Sequence, residues 1–155
     1  MLLKKILCPT DYSDLSALAI AYARSFADTY RAELHLLHVV DEAYQYWMAL
    51  GPNSLPIGPS DAELVEAARQ GMKTFVEKHL ADATTPCLTE VRLGRPYLEI
   101  MKYADEIGAD LIIMGTHGRS GLTHMLLGSV TDKVVRKSHC AVLTVRPPAE
   151  STEAS

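Results

Sequence analysis

Ala109-Asp110-Leu111-Ile112-Ile113-Met114-Gly115-Thr116-His117-Gly118, followed after nine intervening residues by Gly128-Ser129, is the stretch on which both fold and site turn. The apolar run 109–114 predicts a fully buried strand, and Val130-Thr131-Asp132-Lys133-Val134-Val135-Arg136 predicts a helix. Glycines between a buried strand and a helix start let the backbone approach a ligand closely, and unpaired N–H groups there can face an anion. The expectation is a phosphate-bearing ligand held mainly by backbone and hydroxyl groups.

Outside that stretch the chain reads as a strand–helix alternation. Ile6-Leu7-Cys8, with Leu2 and Leu3 before it, predicts a first strand that stops at Pro9-Thr10-Asp11. Ser13 or Asp14 can cap the next helix, whose apolar stripe is Leu15, Leu18, Ala19, Tyr22, Ala23 and Phe26. A second strand spans Glu33 to Val40, and a helix runs from Asp61 to about Ala81 with Met72 and Phe75 on its core side. Cys87 to Leu93 is a third strand of mixed polarity, suited to an edge. Pro96 opens a helix with the stripe Leu98, Met101, Ala104 and Ile107, which Gly108 ends. Cys140 to Val145 is the fifth strand. Such alternation implies a parallel sheet covered on both faces by helices, with right-handed crossovers. Ligands in that architecture bind beyond the carboxyl ends of the strands, where Asp11, Val39-Val40-Asp41 and Gly115 all fall.

Between the second strand and second helix, residues 41–60 carry Tyr44, Tyr46, Trp47 and a run of glycines and prolines. This irregular insertion is long enough to be a lid or contact surface, or a cover that buries its own aromatics. Residues 1–147 are expected to form a single domain, and 148–155 a flexible tail.

Composition bounds the function. A hydrophobic fraction of 48% and a net charge of −4 describe an ordered globular chain with no electrostatic pull toward nucleic acid or anionic lipid. No apolar run approaches the length of a membrane span, and Cys8, Cys87 and Cys140 show no CxxC spacing. A cytoplasmic protein that contacts neither membrane nor nucleic acid is expected.

The candidate site excludes several chemistries. Ser129 follows Gly128 without the lysine of a Walker loop, so the usual clamp for phosphoryl transfer is missing. The first strand ends in Pro9-Thr10-Asp11 rather than a dinucleotide fingerprint, and the third ends in Arg92-Leu93-Gly94 rather than a phospho-acceptor aspartate. The histidines form no HExxH, and no Gly-x-Ser-x-Gly elbow occurs. Asp11 can accept a hydrogen bond from base or ribose, help hold Mg²⁺ on phosphates, or cap the first helix with Ser13 and Asp14. His117 can contact phosphate, act as an acid–base group, or pack in its loop or against a helix, and Arg119 can pair with phosphate or stay solvated. Gly128, Ser129, Val130 and Thr131 supply N–H groups and two hydroxyls at a helix N-terminus.

Gly115, Gly118, Gly128 and Ser129 meet the Gly-two-Gly-nine-Gly-Ser/Thr pattern, and here the chain resembles the ATP-binding branch of the universal stress protein family. The likeness extends to Lys5-Ile6-Leu7-Cys8-Pro9-Thr10-Asp11, His38-Val39-Val40, Gly115 to Leu122, Leu126 to Arg136 and Cys140 to Arg146, or about 145 residues. The resemblance implies a Rossmann-like open α/β fold, a five-stranded sheet of order 3-2-1-4-5. It implies ATP with Mg²⁺, Pro9, Thr10 and Asp11 on the adenine and ribose side, and Val39 or Val40 against the base. Met114, Gly115, His117, Gly118 and Arg119 would follow ribose and phosphate, and residues 128–131 the polyphosphate. It also implies a regulatory homodimer paired through Val142, Leu143, Thr144 and Val145, with slow ATP hydrolysis or an empty-pocket scaffold as alternatives. Ala141 departs from the family's usual proline, and the 41–60 insertion is long for the family.

Overall fold

The computed structural model describes residues 2–43, 59–117 and 127–148. The 44–58 part of the insertion, Gly118, Arg119 and the tail beyond 148 lie outside the described residues. Among the described residues strands and helices alternate in the order β1 Lys5–Pro9, α1 Asp14–Tyr30, β2 Glu33–Asp41, α2 Asp61–His79, β3 Cys87–Gly94, α3 Pro96–Ile107, β4 Leu111–Gly115, α4 Ser129–Lys137 and β5 Ala141–Val145. All pairings are parallel, in the order β3-β2-β1-β4-β5. Among the described residues no helix is long and apolar enough to cross a membrane.

Period-2 alternation sends the central strands' side chains to two different cores. Ile6, Cys8, Leu34, Leu36 and Ile113 meet the α1 and α2 side, with Ala19, Ala23, Met72 and Phe75. Leu7, Leu37, Ile112 and Met114 meet the α3 and α4 side, with Ile100, Ala104 and Val134. Burial on both faces explains why β1, β2 and β4 read as continuous apolar runs. Cys8 is wholly buried, which pushes its thiol pKa well above the ordinary range, while the half-buried Cys87 is raised to about 11 by desolvation. Cys87 and Cys140 are only partly covered, less so than small buried hydrophobes.

Two helices keep most of their expected faces, Leu18, Ala19, Ala23 and Phe26 on α1 and Met101, Ala104 and Ile107 on α3, but each turns one expected large residue outward. In α1 the buried stripe is Ser16, Ala19, Ile20, Ala23 and Ala27, while Tyr22 is 48% exposed. Small residues bring the helix axis close to the sheet, so the larger side chains splay to its flanks. In α3 the buried positions are Ile100 and Ala104, and Leu98 is 45% exposed. Element ends shift slightly: α2 stops at His79, β4 runs Leu111–Gly115, and β5 starts at Ala141. Ser13 is the α1 N-cap, accepting from the Ser16 N–H, and Ser60 with Glu63 forms a capping box on α2.

Close packing of α1 also determines Gly115. A Cβ built there would lie 2.8 Å from Leu15 Cγ, so the glycine makes room for the first turn of α1. The start of β4 is fastened to β1 by Asp110, whose carboxylate accepts the backbone N–H groups of Lys4 (2.8 Å) and Lys5 (2.9 Å). Those two bonds hold its pKa below the ordinary aspartate value.

Two measurements check these contacts. Gly115→Ala should lower unfolding stability by about 1–3 kcal/mol in denaturant titration, the usual cost of overpacking, and part of that loss should return when Leu15→Ala is added. Asp110→Asn should cost about 1 kcal/mol at neutral pH, allowing for solvent screening at a half-exposed site. Because the folded carboxyl is the stronger acid, its contribution is complete above the unfolded value of about 3.9 and disappears as pH falls through the lower folded value. The gap between wild type and variant should therefore be constant from pH 7 to 5 and narrow below about 4.

Candidate functional site

The ends of three strands and the starts of two helices enclose a cavity of about 600 Å³. β1 contributes Pro9, Thr10 and Asp11, β2 contributes Val39 and Val40, and β4 contributes Met114, Gly115 and His117. The start of α4 closes another side with Gly128, Ser129, Val130 and Thr131. All described candidates thus share one cleft, although more than a hundred residues separate Asp11 from Gly128. Leu37, His38, Asp41, Ser16, Pro96 and Ile100 also line it and were not among the candidates.

The turn after β1 is built by local hydrogen bonds. Thr10 donates its N–H to Leu37 O (2.8 Å), which extends the β1–β2 ladder by one step. Its hydroxyl lies 2.9 Å from Ser16 Oγ and accepts the Tyr12 N–H at 3.1 Å. Asp11 Oδ1 accepts the Ser13 N–H at 3.0 Å, an Asx turn leading into the helix that Ser13 caps. Tyr12 has φ 64°, a left-handed conformation unusual for a tyrosine.

Tertiary contacts hold Tyr12 there. Its ring stacks on His38 at 4.2 Å with planes 15° apart, and lies 5.4 Å from the Phe75 ring. Its hydroxyl donates to Ala68 O in α2 at 2.6 Å. A Cβ on Gly71 would come within 3.1 Å of the same ring, which accounts for a glycine inside α2. His38 is itself buried and its Nδ1 lies 2.8 Å from Thr10 O. A carbonyl can only accept, so Nδ1 carries a proton. His38 thereby ties the end of β2 to the Asp11 turn.

The opposite wall has the character of an anion cradle. The N-cap of α4 is Gly128, which offers no side-chain cap, and the first intrahelical bond runs from Asp132 N to Gly128 O. The N–H groups of Ser129, Val130 and Thr131 precede it and have no acceptor within the helix. Gly128 N donates to Thr116 O, and Thr116 N to Val145 O, which fixes the strand-to-helix approach. Thr131 is 3% exposed and donates its hydroxyl to Gly115 O at 2.8 Å. Of the two expected hydroxyls, only that of the exposed Ser129 remains available to a ligand; Thr131 offers its N–H.

His117 lies half-buried with Nδ1 3.1 Å from Thr116 Oγ1. The α3 N-terminus likewise lacks a side-chain cap, Arg95 being its N-cap and Pro96 its first residue. α1 and α2, whose starts are capped by serine, contrast with the two helices that open on the cavity. No lysine or arginine lines the cavity among the described residues; the groups there suited to an anion are the backbone N–H groups at the α4 start, aided by the helix dipole. Asp11 and Asp41 are its carboxylates, and Asp41 Oδ1 accepts the Ala43 N–H at 3.0 Å. Among the described residues no group of three or more His, Cys, Asp or Glu could hold a metal ion.

Comparison with known proteins agrees with this architecture. The profile of the universal stress protein family matches residues 3–146. Universal stress protein MJ0577 of Methanocaldococcus jannaschii is 36% identical over 154 residues, covering 92% of this chain and 94% of its own. A solved structure of MJ0577 has a TM-score of 0.78, covering 95% of this chain and 98% of that one. A universal stress protein solved in complex with cAMP is 25% identical with a TM-score of 0.61, covering 94% of this chain and 98% of its own. Matched along nearly its whole length in sequence and in fold, the chain belongs to the universal stress protein family.

Proposed function

We propose that this protein binds ATP in the 600 Å³ cleft and works as a nucleotide-dependent regulatory protein of the stress response in the cytoplasm. The observation that carries the reading is the start of α4, where uncapped N–H groups and the Ser129 hydroxyl face the cavity at the point of reversed strand order. Val39, Val40 and Met114 offer an apolar surface to a purine, and Pro9 to Asp11 border it. Gly115, His117, Gly118 and Arg119 follow the ribose and phosphates, and residues 128–131 receive the polyphosphate. The relative solved with cAMP supports an adenine nucleotide as ligand class. Mg²⁺ fits as a companion of the phosphates, since such an ion needs only one or two carboxylates and Asp11 reaches the cavity.

We further propose a homodimer through Val142, Leu143, Thr144 and Val145. β5 pairs only with β4 among the described strands, and Val142, Leu143 and Thr144 are partly exposed. Pairing with a second β5 would cover that open edge.

Mass spectrometry of nucleotide released from freshly purified protein, with and without Mg²⁺, tests the binding reading. ATP should be recovered, or bound on addition in calorimetry; no adenine nucleotide and no uptake of added ATP would refute it. Ser129→Ala should weaken ATP binding by about three- to tenfold, the value of one hydrogen bond. ADP formation that is indifferent to Ser129→Ala and to a change at Gly118 would mark a contaminating activity.

The dimer has its own test. Val145 O accepts from Thr116 N on the β4 side, so by alternation the Thr144 N–H points to the open edge. Thr144→Pro removes that donor and leaves the β4 ladder intact. Analytical ultracentrifugation should show a dimer for wild type and a monomer for the variant; a wild-type monomer, or a variant that stays dimeric, rules out pairing through β5.

A further inference from the structure

Outside the cleft, the densest group of charged side chains lies between β3 and α3. Arg92 projects from β3 with its side chain only 18% exposed. Nη1 and Nη2 donate to the two oxygens of Glu106 as a bidentate pair. Nε donates to Glu90 at 3.2 Å, and Nη1 lies 3.7 Å from Glu99. The guanidinium also sits 4.7 Å from the centroid of the Tyr103 ring. Tyr103 continues the chain, with its hydroxyl 3.0 Å from His35 Nδ1, and His35 Nε2 lies 2.6 Å from Glu33. Three carboxylates from two elements therefore converge on one guanidinium.

The spacing on α3 gives this cluster a consequence. Glu99, Tyr103 and Glu106 stand at i, i+4 and i+7, one face of the helix, and that face grips Arg92. Pro96 and Ile100 occupy the neighbouring face and line the cleft. Gly94 completes the arrangement: at φ 154° it carries no Cβ, and one would meet Glu99 Cγ at 2.9 Å. The turn into α3 can thus fold Glu99 back toward Arg92. On β2, the residue in register with Arg92 is Val39, which also lines the cleft.

We infer that Arg92 is a positioning residue for the ligand cleft: by gripping the Glu99–Tyr103–Glu106 face it sets the rotation of α3, and so the depth of the Pro96–Ile100 wall. The inference rests on the reading of the cleft as an ATP site. Without the guanidinium, Glu90, Glu99 and Glu106 face one another as like charges, with Lys102 acting only on Glu106, and the helix relieves that repulsion by turning or lifting. A lysine retains a charge but loses the planar fork, so it restores the attraction without the bidentate lock.

The test uses the full-length protein in wild-type, Arg92→Met, Arg92→Lys and Glu106→Gln forms, with Asp110→Asn as a variant destabilised far from the cleft. ATP affinity by calorimetry should fall by about tenfold in Arg92→Met, the scale of coupling through a packed element. It should recover in part in Arg92→Lys and stay unchanged in Asp110→Asn. In the ligand-free proteins, amide hydrogen exchange over residues 97–101 should accelerate most in Arg92→Met, less in Arg92→Lys and not in Asp110→Asn. Wild-type affinity together with unchanged exchange in Arg92→Met overturns the inference. If Arg92→Met does not fold, Glu106→Gln, which weakens the bidentate pair, is judged by the same two readouts. A wild type that takes up no ATP refutes the ATP reading instead, and the exchange comparison still decides whether Arg92 holds the wall.

Discussion

The pairing of β4 beside β1 is the constraint on which the cleft depends. Ile6 stands opposite Leu111 and Leu7 opposite Ile112, so strands distant in sequence become neighbours at the centre of the sheet. From that seam the chain leaves in two directions: β1 leads to α1 on one face, and β4 leads to α4 on the other. The diverging connections cannot fill the space above the seam, and the cavity is that space. A one-residue slip would turn Leu7 into the wrong core and bring Ile6 and Cys8 with it. Asp110 binds the backbone N–H groups of Lys4 and Lys5 at the other end of the seam, away from the cavity, and so fastens the strands without shaping the cleft.

Fixing the seam fixes the chemistry around it. Thr10 extends the β1–β2 ladder one step beyond the strand, and His38 returns from β2 to hold the Thr10 carbonyl. Tyr12 is held left-handed by a ring stack on one side and α2 on the other. The strain of that conformation, about 1–3 kcal/mol for a non-glycine residue, is offset by a buried aromatic contact and a hydrogen bond. What results is a turn whose Asp11 carboxylate borders the cavity. The polar groups of this turn that face the cavity are therefore oriented by contacts on the α1 and α2 side of the sheet, not by the loop alone.

How much of this was legible depends on what each residue does. The alternation of apolar runs and helical stripes reads directly as a parallel α/β sheet, because the continuous apolar runs are too short for helices and alternate with stripes of helical period. The order 3-2-1-4-5 followed from family resemblance, since nothing local in β4 says that it pairs with β1. The stripes of α1 and α3 are legible except at one large residue each: Ala19, Ala23 and Ala27 mark where α1 comes closest to the sheet, and that closeness leaves Tyr22 on its flank partly in solvent. Leu98 is the exception on α3. His38 and Asp41 lie at a strand end already expected to border a ligand, but a polar residue within an apolar strand carries no motif. Pro96 and Ile100 reach the cleft only because α3 crosses over to it, a tertiary fact with no short-range signal.

The described residues of the glycine motif divide between packing and donors left open to the cavity. Gly115 leaves its side-chain position to Leu15, and Thr131 spends its hydroxyl proton on the Gly115 carbonyl. These two residues bring β4, α1 and α4 close enough for the α4 N-terminus to face the cavity. Ser129, exposed at the first turn, has no such structural duty among the hydrogen bonds of the described residues and stands where an anion would be met. Loss of ligand binding on changing Gly115 or Thr131 would therefore report a displaced helix as readily as a lost contact. Only Ser129 and the N–H groups beside it isolate the contact itself. A motif of this kind is recognisable because one set of spacings satisfies both demands: the packing that builds the cradle and the donors that fill it.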